Sequence, residues 1–316
     1  MKAIETVQLT KTYRNGRKAL DELNLTVECG EIFSLLGTNG VGKTTLIKIL
    51  TTFLKPTSGK AFIMGTDVET ASALVRSQVA CVAQDVSIDN HLTLHENMVF
   101  QGRLYGLEKD ELHKREQSLF ELFELEEYRS EKAASCSGGI KRRLDIAMSM
   151  LSEPKILFLD EPTIGMDIGS RNIMWSILER MKKELGITIF LTTHYLDEAD
   201  QLSDTICFIN HGKKILQGSP QTLRQYLHKN LIRITTKTEK AAISLESCLS
   251  RNNYVQRSYC KGSSIYLQVS EKEAAFQEIG GLTLKDTNCI GIEIIEPTLE
   301  DIFLEIVEKG GVYGNI

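Results

Sequence analysis

The residues between positions 37 and 45 combine glycines, a lysine and hydroxyl groups at spacings that suit them to hold a polyphosphate. They read Gly-Thr-Asn-Gly-Val-Gly-Lys-Thr-Thr, directly after the apolar run 32–36 and directly before the helical pattern 46–50. Glycines allow such a loop to turn its N–H groups inward, and the helix that follows points the positive end of its dipole at the same anion. Because strand, loop and helix come in the order that this chemistry needs, we expect the chain to bind a nucleoside triphosphate.

Individual residues of this loop have distinct expected tasks. The residues expected to surround the nucleotide are Gly37, Thr38, Asn39, Gly40, Val41, Gly42, Lys43, Thr44 and Thr45. Lys43 adds a positive charge beside the phosphates, where it can assist phosphoryl transfer. The hydroxyl of Thr44 is placed to hold the Mg²⁺ that accompanies the nucleotide. The side chains of Thr38 and Val41 can point away from the phosphates.

Two adjacent carboxylates, Asp160 and Glu161, follow the apolar run 156–159. Open α/β sheets bind ligands at the carboxyl ends of their strands, so both acids are expected beside the phosphate-binding loop. Asp160 would hold Mg²⁺ through its water shell, and Glu161 would polarise the attacking water as general base. Without the loop, a strand end with solvated carboxylates would be the preferred interpretation; with it, the catalytic one is favoured.

A second anion-binding turn is predicted at Ser137, Gly138 and Gly139, which open the helical pattern 144–151. A serine hydroxyl and the exposed N–H groups of a helix start can all point at one anion. Together with the loop and the two carboxylates, this turn resembles the signature of the ATP-binding cassette family. In that family two cassettes enclose two ATP molecules, each held between the phosphate-binding loop of one subunit and the signature turn of the other.

The resemblance implies roles for four more residues. Tyr13 matches an aromatic residue that stacks on adenine, although a lone tyrosine here would otherwise be assigned to the surface. Gln84 matches the glutamine that joins the Mg²⁺ and water region to a helical insert, and Asp167 matches a loop that crosses the dimer interface. His194 matches the histidine that contacts the γ-phosphate, whereas alone it would be structural. The implied catalytic residues are Lys43, Gln84, Glu161 and His194, and the implied Mg²⁺ ligands are Thr44, Gln84 and Asp160.

The signature departs from the commonest family pattern at two positions. Cys136 stands where leucine is usual, and Ile140 stands where glutamine is usual. Because the residues that would meet phosphate are intact, a working site is expected, and the departures bear on how tightly a closed dimer forms.

More specific resemblance is found in the Ser-Gly-Gly-Ile-Lys-Arg-Arg-Leu segment, in residues 191–200 and in residues 296–307. These are similar to the ATPase subunits of exporters for drugs, lantibiotics, polysaccharides or sodium. The resemblance implies a subunit that hydrolyses ATP in the presence of Mg²⁺ and dimerises with a second cassette. A homodimer is expected, and a different second cassette is the alternative. It also implies a separate polytopic membrane permease as partner and a peripheral location on the cytoplasmic face of the membrane. The cargo would be determined by the permease.

Two alternatives belong to other functional classes. A soluble cassette ATPase could act in DNA repair, cluster assembly or on ribosomes, but repair members carry a long coiled coil and ribosomal members carry each motif twice. An importer subunit with a regulatory tail is the other alternative, although importer tails are usually larger and rich in β structure.

Composition narrows the functional class further. The chain has 316 residues and a net charge of −5, so no basic field favours nucleic acid as a partner. No apolar stretch approaches the roughly 20 residues needed to cross a bilayer, so any membrane role is expected to come through a partner. Seven scattered cysteines without a Cys-x-x-Cys pair are typical of reduced thiols in a cytosolic protein.

The pattern of apolar residues predicts an α/β fold in two domains. Residues 1–225 are expected to form a P-loop NTPase cassette, with a mostly parallel sheet, a flanking antiparallel sheet near the start, and a helical insert at about 85–153. Residues 230–316 are expected to form a small accessory α+β domain, whose order β-α-β-β-α-β is that of a ferredoxin-like fold. A final helix is predicted at 299–307, and bracing of the cassette dimer is the favoured role of this domain.

Overall fold

The structure is a computed structural model that describes residues 1–226, 230–283, 287–295 and 298–308. It contains two compact units, one of residues Met1–Ser219 and a second that begins at Pro220. The sequence placed the division between 225 and 230, at the end of the first helix of the second unit. Residues 296 and 297 of the predicted tail motif lie outside the described residues.

A six-stranded sheet forms the centre of the first unit. Its strands, in spatial order, are β10 (Lys213–Gly218), β9 (Thr205–Asn210), β3 (Ile32–Leu36), β8 (Thr188–Thr193), β7 (Ile156–Asp160) and β6 (Val79–Val82). All neighbouring pairs are parallel except β9 and β10. Every residue of β3, β7 and β8 is buried, because other elements of the unit pack on both faces of the sheet. The parallel strands therefore end together at one edge.

A second, four-stranded sheet confirms the antiparallel sheet predicted near the start of the chain. Its strands, in spatial order, are β2 (Lys18–Glu28), β1 (Lys2–Thr12), β4 (Ser58–Ile63) and β5 (Thr66–Asp67). Its apolar side chains, such as Leu25, share a core with Phe33 of β3, Phe158 of β7 and Phe190 of β8. This shared core fixes the small sheet against the edge of the unit that carries the phosphate-binding loop.

Seven helices of the first unit complete the cassette. They are α1 (Lys43–Leu50), α2 (Ser72–Arg76), α3 (Leu94–Leu104), α4 (Lys109–Leu122), α5 (Gly138–Met150), α6 (Ile168–Leu185) and α7 (Leu196–Leu202). Among residues 85–153 the structure has helices, short turns and one isolated β-bridge, in agreement with the predicted helical insert. The helix predicted from Leu144 begins six residues earlier, because the Ser137 hydroxyl caps it by accepting the Ile140 N–H.

The second unit has the strand order of a ferredoxin-like fold. Its elements are α8 (Pro220–Tyr226), β11 (Asn230–Thr236), α9 (Glu239–Leu249), β12 (Val255–Lys261), β13 (Ser264–Val269), α10 (Lys272–Thr283), β14 (Cys289–Ile295) and α11 (Leu299–Glu308). The sheet order is β12-β13-β11-β14, with every neighbouring pair antiparallel. Ile265, Leu267 and Val269 alternate along β13 and are buried in one core with Ala242 of α9 and Ile279 of α10. This is the topology predicted for the tail.

In the described parts of both units, no helix combines the length and the apolar character that spanning a bilayer requires.

Candidate functional site

The phosphate-binding loop connects β3 to α1, and two of its glycines cannot be replaced without moving the backbone. A Cβ atom on Gly37 would lie 2.6 Å from the carbonyl oxygen of Ile209. Gly42 has a φ of 117°, and a Cβ atom there would overlap the carbonyl of Ala19. Val41 is buried in the core beneath the loop, so only its backbone can face a phosphate.

Lys43 lies across the mouth of this loop with its side chain only 6% exposed. Its Nζ atom donates to the carbonyl oxygens of Gly37 at 2.7 Å and Thr38 at 3.3 Å. The same atom lies 3.4 Å from Oε1 of Glu161. A buried ammonium needs oxygen acceptors around it, and the oxygens of a phosphate can replace the acceptors that surround it here.

Asp160 is held by hydroxyl groups from the first turn of α1 and from the end of β8. Thr44 Oγ1 donates to Asp160 Oδ2 at 2.9 Å, and Thr192 Oγ1 donates to Asp160 Oδ1 at 2.5 Å. Hydroxyl and carboxylate oxygens are the ligands that Mg²⁺ prefers, usually with one or two carboxylates and the phosphates of a substrate. The donor set therefore fits Mg²⁺, and Gln84 lines the same cavity.

Glu161 adopts a backbone conformation that is rare for residues other than glycine, with a φ of 48°. Strain of this kind persists only where surrounding structure imposes it, and it is concentrated at functional sites. The Glu161 N–H donates to Thr192 Oγ1 at 3.1 Å, and Oε1 lies 3.3 Å from Nδ1 of His194. The structure thus brings Lys43, Glu161 and His194 together, as the sequence predicted.

Most of these groups line one open cavity of about 380 Å³, whereas Thr192 and His194 are not among its lining residues. Its lining residues are Tyr13, Arg17, Asn39, Gly40, Gly42, Lys43, Thr44, Thr45, Gln84, Asp160, Glu161 and Ile164. Tyr13 lies at the rim, where its hydroxyl is 3.1 Å from Thr45 Oγ1 and its ring is partly exposed. An aromatic surface beside a loop of inward N–H groups can take the base of a nucleotide.

Ser137, Gly138, Gly139 and Asp167 do not line this cavity. They lie close to one another instead, because Ser170 joins them: a Cβ atom on Gly139 would lie 2.9 Å from Ser170 Oγ, and Ser170 Oγ donates to Asp167 at 2.7 Å. The hydrogen bonds from Ser170 lower the pKa of Asp167 below its usual value, so this carboxylate is charged. The turn and Asp167 therefore form a separate group within one subunit.

Sequence reasoning missed several residues that shape the cavity. Arg17 lines it and donates to the carbonyl oxygen of Gly40 at 2.5 Å. Thr192 links the Asp160 carboxylate to the backbone N–H of Glu161, and Arg142 donates to backbone carbonyls at the ends of β6 and β7. For Arg17, the sequence indicated no more than a basic residue in a polar turn. For Thr192, it indicated a residue of a buried strand.

A buried carboxylate of α7 links this helix to α6 and to the segment that follows β7. Glu198 of α7 is buried, and its Oε1 accepts from Thr163 Oγ1 at 2.7 Å and from Trp175 Nε1 of α6 at 3.1 Å. Its other oxygen, Oε2, has no hydrogen-bond partner among the described residues. The hydrogen bonds from Thr163 and Trp175 are therefore important for the stability of this region.

Substitution of Thr163 by valine is expected to destabilise the protein by about 1–3 kcal/mol, because a buried carboxylate loses one of its two donors. The substitution keeps the shape of the side chain, so lost hydrogen bonding dominates. Urea unfolding would show a lower midpoint at an unchanged slope. Thr70→Val, at an exposed site, is the control; equal midpoints for the two variants would contradict the prediction.

Comparison with known proteins adds three findings. Residues 20–164 match the family model described as "ABC transporter". The chain is 42% identical over 249 residues to the daunorubicin/doxorubicin resistance ATP-binding protein DrrA of Streptomyces peucetius, covering 79% of this chain and 75% of that protein. It is 33% identical over 310 residues to the Nod factor export ATP-binding protein I of Sinorhizobium fredii (strain NBRC 101917 / NGR234), covering 97% of this chain and 86% of that protein.

A solved structure resembles a large part of this chain. It is the dimeric structure of an ATP-binding cassette in a post-hydrolysis state, bound to ADP and phosphate, with a TM-score of 0.61 and 26% sequence identity. The match covers 68% of this chain and 98% of that chain.

Proposed function

This chain belongs to the ATP-binding cassette family and is an ATPase, and from that premise we propose that it drives an exporter whose membrane permease is a separate protein. The observation that carries the proposal is the match over 97% of the chain, both units included, to a protein named for export. The match to a drug-resistance protein supports the same class. The cargo would be recognised by the permease, and the bracing role of the second unit stays a prediction.

ATP would bind with its phosphates in the loop between β3 and α1. The ring of Tyr13 would stack on adenine, the inward N–H groups would meet the phosphate oxygens, and Lys43 would exchange the carbonyls it now contacts for the β- and γ-phosphates. Thr44, Gln84 and Asp160 would hold Mg²⁺, which when bound neutralises charge on the phosphate oxygens.

Hydrolysis would be carried out by the groups around Glu161. A water beside its carboxylate gives up a proton to Oε1 as its oxygen attacks the γ-phosphorus, and the bond from phosphorus to the leaving oxygen of ADP breaks. His194, 3.3 Å from the same carboxylate oxygen, would keep the carboxylate oriented and donate to the γ-phosphate. Lys43 offsets negative charge on the transferred group.

A second cassette would complete the site. Ser137, Gly138, Gly139 and Asp167 lie apart from the cavity of their own subunit, which supports a role against the nucleotide of a partner. The dimeric cassette that resembles a large part of this chain supports the same arrangement. ATP would then join two subunits, identical or different, and hydrolysis would let them separate.

Helix α3 is the proposed contact with the permease. Phe100, Leu104 and Tyr105 at its end are 56%, 65% and 43% exposed, an unusual density of large apolar groups in water. The helix begins ten residues after Gln84, so a displacement of Gln84 at the nucleotide site would be transmitted to this surface through a short segment of chain. The chain would lie on the cytoplasmic face of the membrane through this contact.

The test is purification of the tagged chain from detergent-solubilised native membranes. A polytopic membrane protein should accompany the wild type in stoichiometric amount, and Phe100→Asp should reduce it several-fold, because a charge replaces an exposed apolar contact, while ATP hydrolysis of the isolated chain stays unchanged. Leu185→Asp, an exposed leucine at the end of α6, is the matched control and should retain the partner. Recovery of only soluble partners with the wild type would overturn the exporter proposal in favour of a soluble cassette ATPase.

A further inference from the structure

Arg142 is a buried cation of α5, only 4% exposed, that donates to backbone carbonyls on two strand ends. Its Nε donates to the carbonyl oxygen of Pro162 at 3.2 Å, and one terminal nitrogen donates to that of Asp160 at 3.1 Å. The other terminal nitrogen donates to the carbonyl oxygen of Ala83 and lies 3.5 Å from that of Gln84. One guanidinium therefore joins the chain after β6 to the chain after β7.

These carbonyls flank the side chains that would act on ATP. The residues on either side of Glu161, Asp160 and Pro162, both present their carbonyl oxygens to Arg142, and Glu161 itself has the strained φ of 48°. A planar guanidinium has five donors in a fixed fork, which can hold several carbonyls at once, whereas an ammonium donates from a single point. The hydrogen bonds of Arg142 thus fix the backbone that positions the side chains of Gln84 and Glu161.

The arrangement is not one that stability alone would favour. Burying a guanidinium removes its water, and the carboxylate beside it, Asp145, lies 3.5 Å away with an Oδ2 atom that has no hydrogen-bond partner among the described residues. Buried ion pairs with unsatisfied atoms are often no more stable than apolar replacements. A functional requirement for the hydrogen bonds that Arg142 makes would explain why the chain has a buried arginine here.

We propose that Arg142 is a positioning residue for ATP hydrolysis, which fixes the backbone at Gln84, Asp160 and Glu161 to the first turns of α5. Because α5 begins at Gly138, this also joins the Ser-Gly-Gly turn rigidly to the water-polarising groups of the same subunit. When that turn meets the nucleotide of the partner subunit, the contact is transmitted to this subunit's own catalytic groups. The inference rests on the proposed function.

The adjacent arginine provides a matched control. Arg143 is also buried on α5, but it donates to the carbonyl oxygens of Phe123 at 3.0 Å and Glu124 at 3.1 Å, just past the end of α4. Both arginines donate to backbone carbonyl oxygens, but the carbonyls that accept from Arg143 lie after α4 and not beside Gln84 and Glu161. Arg143→Lys therefore reports what the loss of a buried guanidinium does to the fold by itself.

The experiment compares the full chain with Arg142→Lys, Arg142→Gln and Arg143→Lys. Steady-state hydrolysis gives kcat and KM, binding of a fluorescent ATP analogue gives Kd, and thermal melting gives the stability of each variant. Both Arg142 variants should lose about 10- to 100-fold in kcat, since misplacement of catalytic groups by about 1 Å can cost that much. Their Kd should stay within about twofold of wild type, because the phosphate-binding loop is not touched.

Arg143→Lys should melt at a temperature similar to that of the Arg142 variants and keep kcat within about threefold of wild type. The inference is overturned if the Arg142 variants turn over as fast as Arg143→Lys, or if their kcat falls only in proportion to ATP affinity or to the folded fraction. A wild-type protein without ATP turnover would instead overturn the proposed function, and with it the inference.

Discussion

Substitution of Glu161 by glutamine is expected to lower kcat for ATP hydrolysis by about 10²- to 10⁴-fold while ATP still binds. The amide keeps the size of the side chain but cannot accept a proton from water at neutral pH. The carboxylate lies 3.4 Å from Lys43 Nζ and 3.3 Å from His194 Nδ1. Loss of its charge removes a competitor for the ammonium, so ATP affinity should be retained or increased.

Phosphate release measures kcat in this experiment, and a fluorescent ATP analogue measures Kd. Size-exclusion chromatography with ATP and Mg²⁺ should show that the variant accumulates as a dimer, since under the proposed function nucleotide that is not hydrolysed would keep two cassettes together. Glu127→Gln, at an exposed glutamate, is the control and should behave as wild type. Wild-type turnover in Glu161→Gln would remove this residue from the role of base.

Substitution of Lys43 by methionine is expected to weaken ATP binding by about 10- to 100-fold and to reduce turnover below detection. The ammonium is buried, and its contacts with the Gly37 and Thr38 carbonyls place it where phosphates would lie. A charged hydrogen bond of this kind contributes about 1.5–3 kcal/mol, which corresponds to that range of affinity. Methionine has a similar length and no charge, so the fold of the loop should persist.

The matched control for this prediction is Lys48→Met, because Lys48 lies on the same helix α1 with its side chain exposed. The two proteins should unfold at similar temperatures, and only Lys43→Met should lose binding of the fluorescent nucleotide. Equal ATP affinity for the two variants would show that the ammonium of Lys43 does not contact the phosphates.

The two predictions concern residues that sequence patterns alone had identified. The loop of residues 37–45 could be recognised because everything that it needs is local: a buried strand before it, glycines within it, and a helix after it. Strand and helix periods, and the conformations that only glycine adopts easily, are likewise properties of neighbouring residues. They also predicted the ferredoxin-like order of the second unit, whose strands and helices alternate within a short segment.

The start of α5 shows the limit of such patterns. The apolar spacing predicted a helix from Leu144, whereas the helix begins at Gly138, because a side-chain cap at Ser137 satisfies N–H groups that would otherwise oppose helix formation. The first turn is rich in glycine and polar residues, so apolar periodicity does not predict it. The same helix then carries Arg142, whose partners lie 18 to 59 residues away.

Sequence patterns were sufficient to select the residues that we expect to bear chemistry: the loop glycines, Lys43, Thr44, Asp160 and Glu161. How these residues meet depends on the order of the strands in the folded sheet, because β3 and β7 are not neighbours and β8 lies between them. Thr192 of β8 therefore joins Asp160 to the Glu161 backbone, a link that no spacing along the chain could reveal. Local patterns specify residues within a turn or a strand, whereas contacts between distant segments depend on strand order, which emerges only when the whole sheet assembles.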